Sequence, residues 1–249
     1  MKKFYTNAVK YHIEFDIVLK RNAYGGLYVA LEGIDGSGKT TQVEKLAAYF
    51  EKQGKEVVRT REPRNDGLVG SLVRKILSEQ IKVPSVALQY LFSADRAIHH
   101  TEIVIPALQA GKVVISDRCF WSAIPYGIMD TIMDKKDGKY DFETGEIILV
   151  AQSILSLYHQ FTTPDKTFYL DVSIDTGMQR LSQEGKTTEI YEKKDKLEKI
   201  LSGYKWLVDK FATEIQIINA EKSVEEITKE IVMTISFVIS STLFSALMI

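Results

Sequence analysis

Between Leu31 and Gln42 the chain reads LEGIDGSGKTTQ, and its Gly33-x4-Gly38-Lys39-Thr40 spacing is that of a loop that wraps phosphate groups. Each residue type has a physical role there. Gly33, Gly36 and Gly38, with Ser37 among them, let backbone N–H groups turn inward around phosphate oxygens, and a helix opening near Lys39 presents its positive dipole end. Lys39 adds a mobile cation, Thr40 offers a hydroxyl to Mg2+, and Thr41 belongs to the same phosphate-binding set. A short apolar run precedes the loop. Helical spacing through Val43, Leu46, Ala47 and Phe50 follows it, which is the context the motif requires. The stretch is therefore expected to hold a nucleoside triphosphate.

Such loops serve switches, motors and small-molecule kinases alike, so the reaction must be read downstream. Neither a base-reading N-K-x-D element nor a long apolar strand ending in adjacent acids is evident. Arginines recur instead near strand ends or on adjoining helices: Arg61, Arg74, Arg96, Arg118 and Arg180. Their planar donor forks suit a second substrate that itself carries phosphate. Taken alone, Phe92 reads as core, Asp117 as the cap of a turn, Tyr126 as packing and Cys119 as a small buried hydrophobe. His99 and His100 are helix neighbours, so they are expected to point apart, and His12 and His159 are isolated. No cluster of protein ligands for a metal is expected.

These residues need elements to position them. Residues 28–31, 56–59, 112–116, 167–172 and 214–218 read as short strands. Helical spacing covers about 40–53, 69–78, 86–109, 145–158, 176–183, 189–211 and a segment from Ser223 onward, opened by a capping box of Ser223 and Glu226. Strands alternating with helices imply an α/β fold, with a parallel sheet covered on both faces and ligands at the carboxyl ends of the strands. The polar, turn-rich stretch 130–146 reads as an exposed excursion.

At 249 residues, with 45% hydrophobic and 26% charged residues and a net charge of −1, the chain suits one globular domain and lacks the basic balance of a nucleic-acid binder. Its single cysteine needs no oxidising compartment, which points to the cytoplasm. Residues 1–26 are charged throughout and read as an N-terminal extension rather than a secretory signal. Residues 231–249 carry no charge and are long enough to span a bilayer. Their hydroxyl side chains, with no basic cluster beyond, favour a helix packed on the core or on a second subunit over a membrane anchor.

LEGIDGSGKTTQ, then TREP (60–63), LFSADR (91–96), SDR (116–118) and YLDV (169–172), in that order and spacing, resemble the thymidylate kinase family over about residues 26–220. The resemblance implies a three-layer P-loop kinase fold, with a five-stranded parallel sheet, helices on both faces and a small lid near 181–195. That domain would span 27–221, followed by a C-terminal helix over 222–249. It further implies ATP and dTMP as substrates, Mg2+ as cofactor, and a homodimer. By resemblance, Arg61 and Arg118 grip the dTMP phosphate, Phe92 stacks on thymine, and Arg96 reads a carbonyl edge of the base. Asp35 accepts from the sugar 3′-hydroxyl, Tyr126 lies near the sugar, Ser122 is the retained serine of the acceptor site, and Asp117 supports Mg2+ together with Thr40.

Two departures accompany the likeness. After the DR pair, the family pattern D-S-S-x-A-Y-Q-G becomes Cys119-Phe-Trp-Ser122-Ala-Ile-Pro125-Tyr126-Gly127, which loses the glutamine. A common lid D-R-x-E becomes Thr188-Glu189-Ile190-Tyr191-Glu192. The phosphate loop has no arginine either, and the resemblance implies that family members of this sort take a catalytic cation from the lid, for which Arg180 is the expected residue beside Lys39, Asp117 and Arg118, with Lys186 and Lys193 behind it. A kinase for deoxynucleosides or another monophosphate, and a non-catalytic nucleotide-binding module, are the alternative readings.

Overall fold

The computed structural model describes residues 16, 18–133, 145–158, 160–184 and 189–246, with side-chain placement described for 16, 18–130, 151–158, 160–183 and 189–236. Its centre is β1 (Leu27–Glu32), in which Tyr28 through Leu31 are fully buried. A run this apolar suits a strand covered on both faces, as parallel sheets require. The sheet order is β2 (Val57–Arg61), β3 (Val113–Asp117), β1, β4 (Lys166–Asp171), β5 (Ile215–Asn219), and every pairing is parallel. The expected five strands are present, with ends differing from the sequence-based ranges by at most two residues. Leu31 stands opposite Asp117, and Asp117 opposite Arg61, so the carboxyl ends of β1, β3 and β2 lie side by side. Because β1 is flanked by β3 and β4, the strand order reverses there, and that is where an open α/β sheet forms its binding crevice.

Helices α1 (Lys39–Lys52), α2 (Leu68–Leu77) and α3 (Ser85–His99) precede β3. Helix α3 continues through a π-helical turn, His100–Val104, into α4 (Ile105–Gln109). Pro106 explains the widening, since its ring would crowd the carbonyl four residues back in a regular helix. Helix α5 (Ala123–Met133) was not expected from the spacing, because Pro125 and Gly127 interrupt its pattern. The proline falls in the first turn, where its missing N–H costs nothing. Its ring packs on α8 (Lys194–Lys210) at Gly203, where a Cβ would come within 2.8 Å of the Pro125 Cα. Asp130, expected in an exposed excursion, is buried on α5, and residues 134–144 lie outside the described residues.

The helix expected over 189–211 begins only at Lys194, after turns at 189–193. Helices α6 (Gly145–Tyr158), α7 (Ile174–Glu184) and α9 (Val224–Ala246) complete the layers. The capping box forms: the Glu226 N–H donates to Ser223 Oγ at 3.3 Å and the Ser223 N–H to Glu226 Oε2 at 3.0 Å. Ile227, Ile231 and Ile235 of α9 are buried, and Thr228 Oγ1 donates to Gln42 Oε1 of α1 at 2.8 Å. Among the described residues no helix is long and apolar enough to cross a membrane. In the extension, Asn22 Nδ2 donates to Asp165 at 2.7 Å, which ties the segment before β1 to the segment before β4. The remainder, 1–15 and 17, lies outside the described residues.

Candidate active site

The phosphate loop lies between β1 and α1 with Gly38 as the N-cap of the helix. Gly36 has φ +79°, and a Cβ there would sit 2.2 Å from the Gly177 carbonyl oxygen on α7, so only glycine allows the loop this close. Lys39 is buried beneath the loop. Its Nζ donates to the carbonyls of Ile34 at 2.8 Å and Gly33 at 3.1 Å and lies 3.9 Å from the Asp35 carboxylate. Burial, and then the charge of Arg118, lower its pKa to about 8 against the pull of Asp35. Thr40 Oγ1 donates to Asp117 Oδ2 at 2.6 Å, which places a hydroxyl and a carboxylate side by side at the end of β3.

Arg118, one residue past β3, has φ +73°, an uncommon conformation for a side chain of its size. It is held there by its own N–H donating to Leu31 O at 2.8 Å and by Ser116 Oγ donating to its carbonyl at 2.6 Å. The turn throws the guanidinium back across the loop. Nη2 donates to Asp35 Oδ1 at 2.5 Å, while Nη1 is shared among Gly33 O, Tyr204 Oη and Ser122 Oγ at 2.9, 3.0 and 3.2 Å. Tyr126 Oη donates to Asp35 Oδ2 at 3.4 Å. Burial alone would raise the Asp35 pKa, but Arg118 and Lys39 outweigh it and hold the carboxyl below its usual range.

A second charged cluster joins β2 to α3. Arg96 Nε donates to Glu62 Oε2 at 2.5 Å, and its guanidinium carbon lies 4.4 Å from the centre of the Tyr158 ring. Its Nη1 is buried without a hydrogen-bond partner among the described residues. His99 and His100 do not point apart as the sequence suggested. The π-helical turn brings both toward one carboxylate, with His99 Nδ1 donating to Glu62 Oε1 at 3.0 Å and His100 Nε2 at 4.0 Å from it. Burial opposes ionisation of Glu62, yet Arg96 first and His99 next hold its pKa at about 2. Burial lowers the His100 pKa to about 4. Arg64 and Asp95, paired at 3.1 Å, fasten the turn after β2 to α3.

Residues of both clusters line one cleft of about 300 Å3. Of the residues singled out from the sequence, Asp35, Gly36, Gly38, Lys39, Thr40, Thr41, Arg61, Phe92, Arg96, Asp117, Arg118, Ser122 and Tyr126 line it, while Gly33 and Ser37 form the inner turn of the loop. Arg180 is not among the lining residues. It donates from Nη2 to Ala220 O at 3.0 Å, and its Nη1 is 3.9 Å from where a Cβ on Gly38 would stand.

A family model described as thymidylate kinase matches residues 31–135 and 144–231. A probable thymidylate kinase of Thermococcus gammatolerans is 34% identical over 215 residues, covering 83% of this chain and 94% of the relative. Another, from Pyrococcus horikoshii, is 35% identical over 212 residues with the same coverage, 83% and 94%. The chain belongs to the thymidylate kinase family. The solved structure of the Candida albicans thymidylate kinase, 21% identical, covers 85% of this chain and 92% of its own with a TM-score of 0.70, and so shares the P-loop kinase fold.

Within this thymidylate kinase fold, Glu32, which supports the cleft from below, and Leu181, which lines it, carried no local signal in the sequence, whereas Arg74 was one of the arginines read from it. Glu32 ends β1 fully buried, its Oε1 accepting from the Cys119 and Ser122 N–H groups at 2.9 and 3.2 Å and its Oε2 from Ser122 Oγ and Tyr204 Oη at 2.5 and 2.8 Å. Arg74 of α2 lines the cleft between the Pro63 carbonyl, 2.5 Å from Nη2, and Glu189, 3.4 Å from Nη1. From the segment expected to form a lid, Leu181, Glu189, Tyr191 and Glu192 reach the cleft, and Tyr191 packs edge-on against Tyr126 with ring centres 4.9 Å apart. Lys193 pairs with Glu79 at 3.3 Å, and Lys186 lies outside the described residues.

Proposed function

We propose that this enzyme transfers the γ-phosphoryl group of ATP, in line, to a phosphate oxygen of dTMP, giving dTDP and ADP on the way to dTTP. Family membership supports the reaction. The observation that carries its assignment to this cleft is the join between phosphate loop and acceptor residues, where Arg118 holds Asp35 and Gly33 O while Thr40 holds Asp117. The acceptor oxygen is already anionic, so no general base is required, and catalysis reduces to positioning and charge stabilisation. Lys39 and Arg118 supply charge to the group in transit, and Arg61 grips the acceptor phosphate. Phe92 and Arg96 receive the base, with Asp35, Ser122 and Tyr126 at the sugar and phosphate. Arg180 adds charge from the flank of the loop.

The adjacent hydroxyl of Thr40 and carboxylate of Asp117 are hard oxygen donors that fit Mg2+, directly or through water. When bound, that ion supplies positive charge to the β- and γ-phosphate oxygens. Leu181 and Tyr191 of the lid shield the cleft from water and so limit wasteful hydrolysis. A cytoplasmic homodimer completes the proposal. The near-neutral chain with one buried cysteine supports the compartment, and the exposed Leu68, Val86 and Tyr90 of α2 and α3 offer a face to a second copy.

The direct test is ADP release with ATP and Mg2+ against dTMP, dUMP, dCMP, dGMP, AMP and thymidine. Turnover with dTMP is expected. Preference for thymidine or another monophosphate points to a different kinase, and no turnover in protein that binds ATP points to a regulatory module. Phe92→Ala is expected to raise the KM for dTMP by roughly tenfold to a hundredfold, the worth of a lost stacking platform, with the KM for ATP little changed. Equal weakening of both substrates would count against a base platform.

ATP affinity carries its own pH signature. Lys39 has a pKa of about 8, and a triphosphate beside it favours the protonated form. Binding therefore takes up a proton above that pH. Titration calorimetry is expected to show ATP affinity falling as pH rises through about 8, whereas a flat profile would mean that Lys39 does not meet the triphosphate.

A further inference from the structure

We propose that Tyr204 is a positioning residue for the phosphoryl transfer, whose hydroxyl links the Arg118 guanidinium to the buried carboxylate of Glu32 and so fixes the arginine before substrates bind. The inference rests on the reading above in which Arg118 supplies charge to the group in transit. It adds a residue of α8, 86 positions further along the chain, that acts only through Arg118 and is not among the residues lining the cleft.

The direction of each hydrogen bond is set by the groups at the two ends. A guanidinium only donates and a carboxylate only accepts. Arg118 Nη1 meets the hydroxyls of Tyr204 at 3.0 Å and Ser122 at 3.2 Å, and these hydroxyls meet Glu32 Oε2 at 2.8 and 2.5 Å. Each hydroxyl therefore accepts from the arginine and donates to the glutamate. Both protons go to one carboxylate oxygen, and that sharing also sets the 2.9 Å approach of the two hydroxyls to each other. Glu32 thus acts on Arg118 through two hydroxyl groups. Of the five N–H donors on Arg118, the protein contacts occupy both on Nη1 and one on Nη2, which leaves two for phosphate oxygens.

The two hydroxyls are not equivalent. Ser122 follows Arg118 by four residues and belongs to the same turn of chain. Tyr204 comes from a separate element, and its seat is rigid. The ring is fully buried and stacked on Tyr169 of β4, with centres 5.1 Å apart and planes at 25°. Tyr169 stands opposite Glu32 in the pairing of β1 with β4, so the same two strands place the carboxylate and the surface that holds the ring. Burial, and then the charge of Glu32, push the Tyr204 pKa well above its usual value, so the proton stays in the contact. An arginine loses much rotamer freedom on being fixed, and an anchor already present in the fold removes that loss from the transfer step.

The test is the single-turnover rate of phosphoryl transfer from ATP to dTMP in the wild type, Tyr204→Phe, Arg118→Lys and the double variant. Phenylalanine keeps the ring and its stack and removes only the hydroxyl. Tyr204→Phe is expected to transfer about tenfold more slowly, the scale of one lost hydrogen bond, with the KM for ATP little changed. On the Arg118→Lys background, where the donor fork is gone, the same change is expected to cost little. A loss of equal size on both backgrounds, or no loss on either, overturns the role of Tyr204. Nitrogen NMR of the ligand-free wild type tests the anchor without relying on the fold of Tyr204→Phe. Arg118, assigned by the loss of its signals in Arg118→Lys, is expected to show separate, slowly exchanging Nη1 and Nη2 resonances. A single averaged Nη resonance overturns the anchor. No wild-type turnover of dTMP overturns the parent reading and this one with it.

Discussion

Lys39→Ala is expected to lower kcat by roughly 10^3-fold or more, on the scale of losing one preorganised charge that acts on the transition state, while the protein melts close to the wild-type temperature. The two expectations have one cause. Lys39 is held under the loop by two backbone carbonyls and shifted to a pKa of about 8, so the fold keeps a cation where burial disfavours it. Removing it relieves that cost even as it removes the hydrogen bonds to the loop. On the proposed reaction, the charge is therefore maintained for the phosphates and not for stability. Single-turnover kinetics with a thermal melt check this, and wild-type rates in a folded variant would remove the cleft from the proposed reaction.

Glu62→Ala is expected to act on stability instead, costing about 3–5 kcal/mol at neutral pH, the usual penalty for breaking a buried ion pair from one side. The carboxylate is the partner of Arg96 Nε and His99 Nδ1, and Arg96 already carries one nitrogen with no partner among the described residues. The pH dependence follows from a folded pKa of about 2 against an ordinary 4.5. A depressed carboxylate pKa contributes stability that is complete above the unfolded value and is lost as pH falls through the folded one. Urea unfolding should thus show the wild type losing this contribution between pH 4.5 and about 2, and its advantage over Glu62→Ala shrinking across that window. A difference that stays constant over the window would mean that Glu62 is not the counter-ion of Arg96. Because Arg96 also faces the cleft, Glu62→Ala should raise the KM for dTMP more than that for ATP.

What could be read from the chain alone was local. The phosphate loop works through its own contiguous backbone, so Gly33 to Thr41 announce it without any partner. The five strands announce themselves because each must be apolar enough to lie within a covered parallel sheet. The Ser223 and Glu226 box is local in the same way. Helix α5 escaped because proline and glycine signal a break in isolation, whereas their cost depends on position in the first turn and on what packs there, here Gly203 of α8.

Tertiary structure alone decided which polar groups meet. Glu62 and His99 are 37 residues apart, Arg74 and Glu189 are 115 apart, and Glu32 and Tyr204 are 172 apart, and no spacing rule connects such pairs. Helical periodicity even separated His99 from His100, until a π-helical turn ahead of Pro106 brought both toward Glu62. Sequence determined the loop, the strands and thus the chemistry of phosphate. The packing of α3 and α5 against the strand ends decided which side chains line the cleft, because hydrogen-bond complementarity exists only once distant residues share a wall.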